Sequence, residues 1–92
     1  SVDLVIHVMD AKNLGRMLPL TMQLIEAKLP VILVLNMMDE VQQLGLEIAR
    51  EGLEKTLGIP VVMTATAKGY GVTELKSQVE QYVNTAYLSP TH

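Results

Sequence analysis

The chain has no cysteine, no tryptophan and no phenylalanine, and its only aromatic side chains are three tyrosines. Without cysteine there is neither a disulfide framework nor a cysteine-ligated metal site, a composition that suits a reducing compartment. Without bulky aromatics the core has to be aliphatic, built from Leu, Val, Ile and six Met. Charge is sparse and slightly acidic, seven Lys and Arg against ten Asp and Glu, for a formal net charge of −3. That balance offers no basic footprint for nucleic acid and no polybasic face for anionic lipid. No apolar run approaches the ~20 residues that span a bilayer, and no signal-peptide pattern opens the chain. A start at Ser1 that runs straight into a strand-like stretch is expected of a piece excised from a longer protein.

What is present suits one small globular domain: 92 residues, 49% of them apolar, near the lower end of what buries a self-sufficient core. The stretch that organises it runs from Val31 to Asp39, VILVLNMMD. Five apolar residues without interruption predict a strand buried on both faces, as inside a parallel sheet. Polar groups just past the carboxyl end of such a strand stand where open α/β sheets bind ligands, which singles out Asn36 and Asp39.

Periodicity assigns the remainder. Strands are expected over about residues 2–8, 31–36 and 60–65, and helices over about 17–27, 39–44, 50–57 and 72–85. Residues 11–15 read as a loop and 46–48 as briefly extended. In the first helix Met17, Leu20 and Leu24 form an apolar stripe with Leu18, Met22 and Ile25 beside it, and Thr21 falls on the polar side. Pro19 belongs in a first turn, so regular helix is expected to start close to it. Gly58, followed by Pro60, reads as a helix stop. The last helix carries Val72, Leu75, Val79, Tyr82, Val83 and Ala86 on one face and fades at Ser89-Pro90. His7 reads as a hydrogen-bonded structural residue, with no second His or Cys nearby to make a metal site. Strands alternating with helices imply right-handed crossovers and an α/β domain.

Two loops could carry chemistry. Asn36-Met-Met-Asp39 is an N-x-x-D, and a carboxylate at its end can accept two parallel hydrogen bonds from the N1–H and exocyclic amine of guanine, a donor pair adenine lacks. The alternative is that Asp39 caps the next helix, and the two roles are compatible. After the third strand, Thr66-Ala67-Lys68 offers a backbone N–H to a base carbonyl and an aliphatic stem to lie over a purine. The two loops follow neighbouring strands of one parallel sheet and so share an edge. Gly69 and Gly71 suit turn and helix-entrance geometry better than a phosphate cradle.

With these residues in view, the chain resembles the second half of a Ras-like GTPase G domain, most specifically that of the bacterial ferrous iron transport protein B (FeoB) family. The likeness covers about residues 2–83. Asn36-Met-Met-Asp39 resembles the family's fourth guanine motif, with Met37 where the general motif has Lys. Val8-Met-Asp-Ala-Lys-Asn-Leu14 resembles its V-V-D-A-x-N-L segment, and Thr66-Ala67-Lys68 falls at its fifth guanine motif. His7, Gly15 and Pro19 depart from the pattern away from the base site, and Met37 removes the lysine stem that lies along the nucleotide in other GTPases.

The resemblance implies that residues 1–92 form a single partial G domain, the guanine-recognition half of a parent on the cytoplasmic face of a bacterial membrane. That parent would import Fe²⁺ under the regulation of GTP and GDP. Asn36, Met37, Asp39, Thr66, Ala67 and Lys68 are the expected guanine contacts, and the remainder of the G domain and a membrane domain are the expected partners. The chain contains no G-x-x-x-x-G-K-S/T, switch threonine or D-x-x-G, so phosphates, Mg²⁺ and attacking water would be handled only in the intact parent domain. Whether this chain is an enzyme stays open on these grounds. Asp10 reads as a loop or cap residue. Two rivals are a strand-paired or domain-swapped unit that self-associates without binding nucleotide, and a complete flavodoxin-like or Rossmann-like domain. The second would need a glycine-rich turn after the first strand, which residues 10–15 do not supply.

Overall fold

The computed structural model describes residues 4–87. Strand β1 (Val5–Asp10) leads through a 3₁₀ turn (Ala11–Asn13) into helix α1 (Leu14–Glu26). Strand β2 (Val31–Asn36) is followed by helices α2 (Met38–Gln43) and α3 (Arg50–Leu57). Strand β3 (Val61–Met63), a second 3₁₀ turn (Thr66–Lys68) and helix α4 (Val72–Tyr87) complete the order. All three strands are parallel, in spatial order β1-β2-β3, with Asp10 beside Asn36 and Leu35 beside Met63.

The central position of β2 explains its unbroken apolar run. Each residue from Val31 to Leu35 is buried, because a middle strand with helices on both faces has no solvent side. Alternation then divides the core. Leu33 and Leu35 join Met9, Val61, Met38, Val41 and Leu57 under α1, α2 and α3, while Ile32, Val34 and Val62 meet Leu75 and Val79 of α4.

The two edges of the sheet differ. On the β3 side, the Val61 N–H donates to Glu54 Oε2 at 2.8 Å, which occupies a donor that an edge strand otherwise leaves open. On the β1 side, Ile6 and Val8 pair beside Ile32 and Val34 and so face the α4 layer, yet they are 42% and 56% exposed. α4 covers β2 and β3, and its cluster does not include Ile6 or Val8.

Several boundaries depart from the sequence reading. β1 runs past the expected end at residue 8 to Asp10, because the ladder with β2 continues to Asn36; residues 2 and 3 lie outside the described residues. Helix α1 starts at Leu14 and contains Pro19 in its interior. Pro19 is exposed, and Leu14, Met17, Leu18 and Ile25 seat the helix on the core, which outweighs one lost backbone hydrogen bond. The buried face of α1 is also rotated from the expected one. Leu20 and Met22 are exposed, and Thr21 is fully buried, with its Oγ1 3.1 Å from His7 Nδ1 and 3.5 Å from the Met17 carbonyl.

Residues 11–13 form a 3₁₀ turn rather than a loop, and 46–48 form no regular structure. α3 matches 50–57, and Gly58 closes it in the left-handed region at φ 71°. β3 is three residues rather than six, since Ala65 turns away to bridge Tyr70. In α4, Val83 is exposed, so the apolar stripe fades by that turn. The side chain of Ala86 and the fading at Ser89-Pro90 lie outside what is described.

Candidate functional site

A parallel sheet in register delivers the ends of its strands to one side, so the loops after β1, β2 and β3 meet at a single edge. Asn36, the last residue of β2, ties two of them together. Its Oδ1 accepts from the Thr64 hydroxyl at 2.8 Å and the Thr66 N–H at 3.2 Å, with the Thr66 hydroxyl at 3.4 Å. Thr64 is fully buried, where a polar side chain has to be hydrogen-bonded. Its backbone adds two more ties: Thr64 N–H donates to the Leu35 carbonyl at 2.8 Å, and Met38 N–H donates to the Thr64 carbonyl at 3.0 Å.

Between Asn36 and α2 the chain makes a forced turn. Met37 is exposed and left-handed, at φ 61° and ψ 36°, and makes no side-chain cap. A non-glycine residue held there costs roughly 1–3 kcal/mol. The turn points Met38 and Val41 inward, both buried, and leaves Asp39 and Glu40 outward in the first turn of the helix. Asp39 is therefore not the cap, since Met37 occupies that position; it stands in the first turn of the helix instead.

Across the gap stands the 3₁₀ turn Thr66–Lys68, all three residues exposed. Lys68 Nζ lies 3.8 Å from Asp39 Oδ2, a charge contact longer than a hydrogen bond. Every expected site residue thus lies on one edge: Asn36 and Thr66 are bonded, Asp39 and Lys68 face each other, and Met37 and Ala67 flank them. Gly71 holds this turn in place. It adopts φ 81°, and a Cβ there would lie 2.2 Å from the Met63 carbonyl oxygen.

A third loop joins the same edge. Asp10 caps the 3₁₀ turn after β1, its Oδ1 accepting from the Lys12 N–H at 2.9 Å. The Lys12 ammonium lies 3.5 Å from Asp10 Oδ2 and also pairs with Glu40 Oε1. The hydrogen bond to Glu40 raises the Lys12 pKa above its ordinary 10.5, partial desolvation opposes this, and the charge of Asp10 adds to it. Sequence reasoning passed over Lys12 and Glu40, because residues 28 positions apart carry no local signal of contact. An open cleft of about 440 Å³ is lined by Lys12, Asp39, Glu40, Gln43 and Leu44.

A larger groove, about 620 Å³, lies at the opposite end of the strands among Ile25, Pro30, Ile59 and Tyr82. It is mainly apolar and holds none of the motif residues, so size and chemistry point to different places. The chemistry is the better guide, since convergent polar groups define a site and volume alone does not. Among the described residues no group of three or more His, Cys, Asp or Glu side chains gathers to hold a metal ion. Likewise, no described helix is long and apolar enough to cross a membrane.

The parallel α/β layers, with these loops at the carboxyl edge of the sheet, define a partial Ras-like G domain. Residues 1–79 match the family described as ferrous iron transport protein B, and the chain belongs to that family. It is 40% identical over 80 residues to the Fe(2+) transporter FeoB of Escherichia coli (strain K12), covering 87% of this chain and 10% of that protein. It superposes on the FeoB G domain from Methanococcus jannaschii with a TM-score of 0.83 and 43% identity, over 88% of this chain and 52% of that one. The cytosolic domain of T. maritima FeoB in a GDP form matches all of this chain and 36% of its own length, at a TM-score of 0.87 and 36% identity. A GMPPNP form of the same T. maritima domain matches with a TM-score of 0.84. The chain therefore spans about half of a solved relative's G domain and a tenth of the curated relatives.

Proposed function

We propose that this chain is the base-reading part of the guanine-nucleotide domain of a ferrous iron transporter, with Asp39 as the residue that selects guanine. The observation that carries the reading is the Asn36 tether, which joins the loop holding Asp39 to the loop holding Thr66, Ala67 and Lys68. With Oδ1 committed to Thr64 and Thr66, Asn36 can offer its Nδ2 group to a purine acceptor such as N7. The Asp39 carboxylate accepts from guanine N1–H and N2–H, the Ala67 N–H donates to O6, and the Lys68 stem covers the ring. Met37 contributes backbone shape rather than a cationic stem. That structures of FeoB relatives exist in GDP and GMPPNP forms supports this ligand class.

The domain is the guanine-recognition half, and its sequence holds no phosphate-binding loop, switch threonine or D-x-x-G. Mg²⁺ chemistry and hydrolysis therefore reside in the intact parent, on the cytoplasmic face of its membrane, where the rest of the G domain and the membrane domain are its partners. Titration with GDP and ADP, in wild type and Asp39→Ala, tests the reading. The expected result is a guanine preference that Asp39→Ala removes, with no GTP turnover by the chain alone. Equal binding of the two nucleotides by wild type, or measurable turnover, overturns it.

One observation favours a second reading, self-association. Among the described residues β1 is an unpaired edge whose Ile6 and Val8 are exposed, so two copies can join edge to edge and cover both residues. Light scattering should then give a dimer or higher oligomer that Val8→Lys returns to monomer; a monomeric wild type rejects it.

A further inference from the structure

Asp39 and Glu40 are consecutive acids in the first turn of α2, and they are drawn to opposite sides. Asp39 faces Lys68 on the loop after β3. Glu40 is held by Lys12 on the loop after β1. Successive residues of a helix point about 100° apart, so whatever holds one of these acids sets the direction of the other.

α2 needs such a hold. It has six residues, follows a left-handed Met37 and has no side-chain cap, and a helix this short is marginal by itself. Burial of Met38 and Val41 sets its inner face, and the Met38 N–H to Thr64 bond anchors its first residue. On the outer face, Lys12 supplies a tie to β1. Lys12 is itself well placed to do this. Asp10 engages both its N–H, at 2.9 Å, and its ammonium, at 3.5 Å, while the neighbouring Ala11 is buried. The result is a strap from β1 to α2, Asp10–Lys12–Glu40.

We infer that Lys12 is the positioning residue of the base-reading carboxylate: by tying Glu40 to β1 it orients the first turn of α2 so that Asp39 faces the slot beside Thr66–Lys68. The inference rests on the guanine reading above. In this role Lys12 acts through Glu40. An exposed ion pair adds little to global stability, so the strap matters for geometry: a shift of about 1 Å takes a 2.8 Å hydrogen bond beyond useful range.

The test uses the full chain as wild type, Lys12→Met, Lys12→Arg and the exchanged pair Lys12→Glu with Glu40→Lys. GDP and ADP affinities come from amide NMR shifts, and amide hydrogen exchange reports on Gln42 and Gln43 of α2 and on Leu44, its C-cap. Lys12→Met should reduce the GDP-over-ADP preference about tenfold, the low end of what one lost charge-assisted hydrogen bond is worth. It should also speed exchange in α2 without changing it in α4. Lys12→Arg and the exchanged pair should restore both. A Lys12→Met chain that keeps its preference overturns the inference while leaving the guanine reading intact. A wild type that binds GDP and ADP equally overturns both. Glu40→Met, which leaves Lys12 in place and removes its acceptor, should reproduce Lys12→Met; an unchanged preference in that variant also overturns the inference.

Discussion

Asn36 Oδ1 accepts the Thr64 hydroxyl at 2.8 Å across the gap between β2 and the loop after β3, so a fully buried threonine is joined to the first residue of the N-x-x-D. This bond makes two loops into one surface. Thr64→Val keeps the shape and removes the donor, leaving Asn36 with Thr66 alone. We expect a loss of about 1 kcal/mol in urea unfolding and faster exchange at the amides of Thr66 and Lys68. Full retention of stability and protection would show that the bond is incidental.

Gly71 is the position least open to a side chain. Its φ of 81° and the 2.2 Å approach of the Met63 carbonyl to a would-be Cβ both act against alanine. Gly69 shares the left-handed conformation, at φ 72°, but nothing lies within 4 Å of its Cβ position. Gly69→Ala should cost roughly 1–2 kcal/mol from conformation alone, and Gly71→Ala clearly more, because β3 or the turn must also move. Equal melting temperatures for the two variants would contradict this order.

Met37 invites the opposite kind of change. Asparagine tolerates the left-handed region and is a favoured N-cap, whereas methionine is neither. Met37→Asn should stabilise the chain by about 0.5–1 kcal/mol in thermal unfolding. A loss of stability would mean that the methionine side chain contributes more contact than its exposure of 41% suggests.

Lys12 predicts an alkaline limit. Its pKa in the folded chain is raised above 10.5, chiefly by Glu40. A raised pKa means a contribution fully present below 10.5 and lost as pH climbs through the folded-state value. Arginine stays charged across that range. The difference in unfolding stability between wild type and Lys12→Arg should therefore be flat from neutral pH to about 10 and then turn against wild type. A difference that already changes near neutrality would assign the effect to another group.

The local patterns were legible from residues alone. The apolar run Val31–Leu35 announced a strand covered on both faces, and it lies at the centre of the sheet with every residue buried. Gly58 stopped α3 where a left-handed residue was needed. Where the reading failed, a long-range contact had overridden a local preference. Pro19 sits inside α1 because the flanking apolar residues hold the helix on the core. Thr21, polar and assigned to the solvent side, is buried against His7.

The sequence by itself determined the α/β alternation, the central strand and the two motif loops, because periodicity, turn residues and short motifs act over a few neighbours. Only the tertiary structure decided the rest: that Asn36 grips Thr64 and Thr66, that Lys12 straps Glu40 to β1, and that Asp39 turns toward Lys68. These pairs lie 28 to 30 residues apart. The parallel register of three strands brings them together, and that register is set by burial of alternate side chains across the whole sheet, a property no single stretch contains.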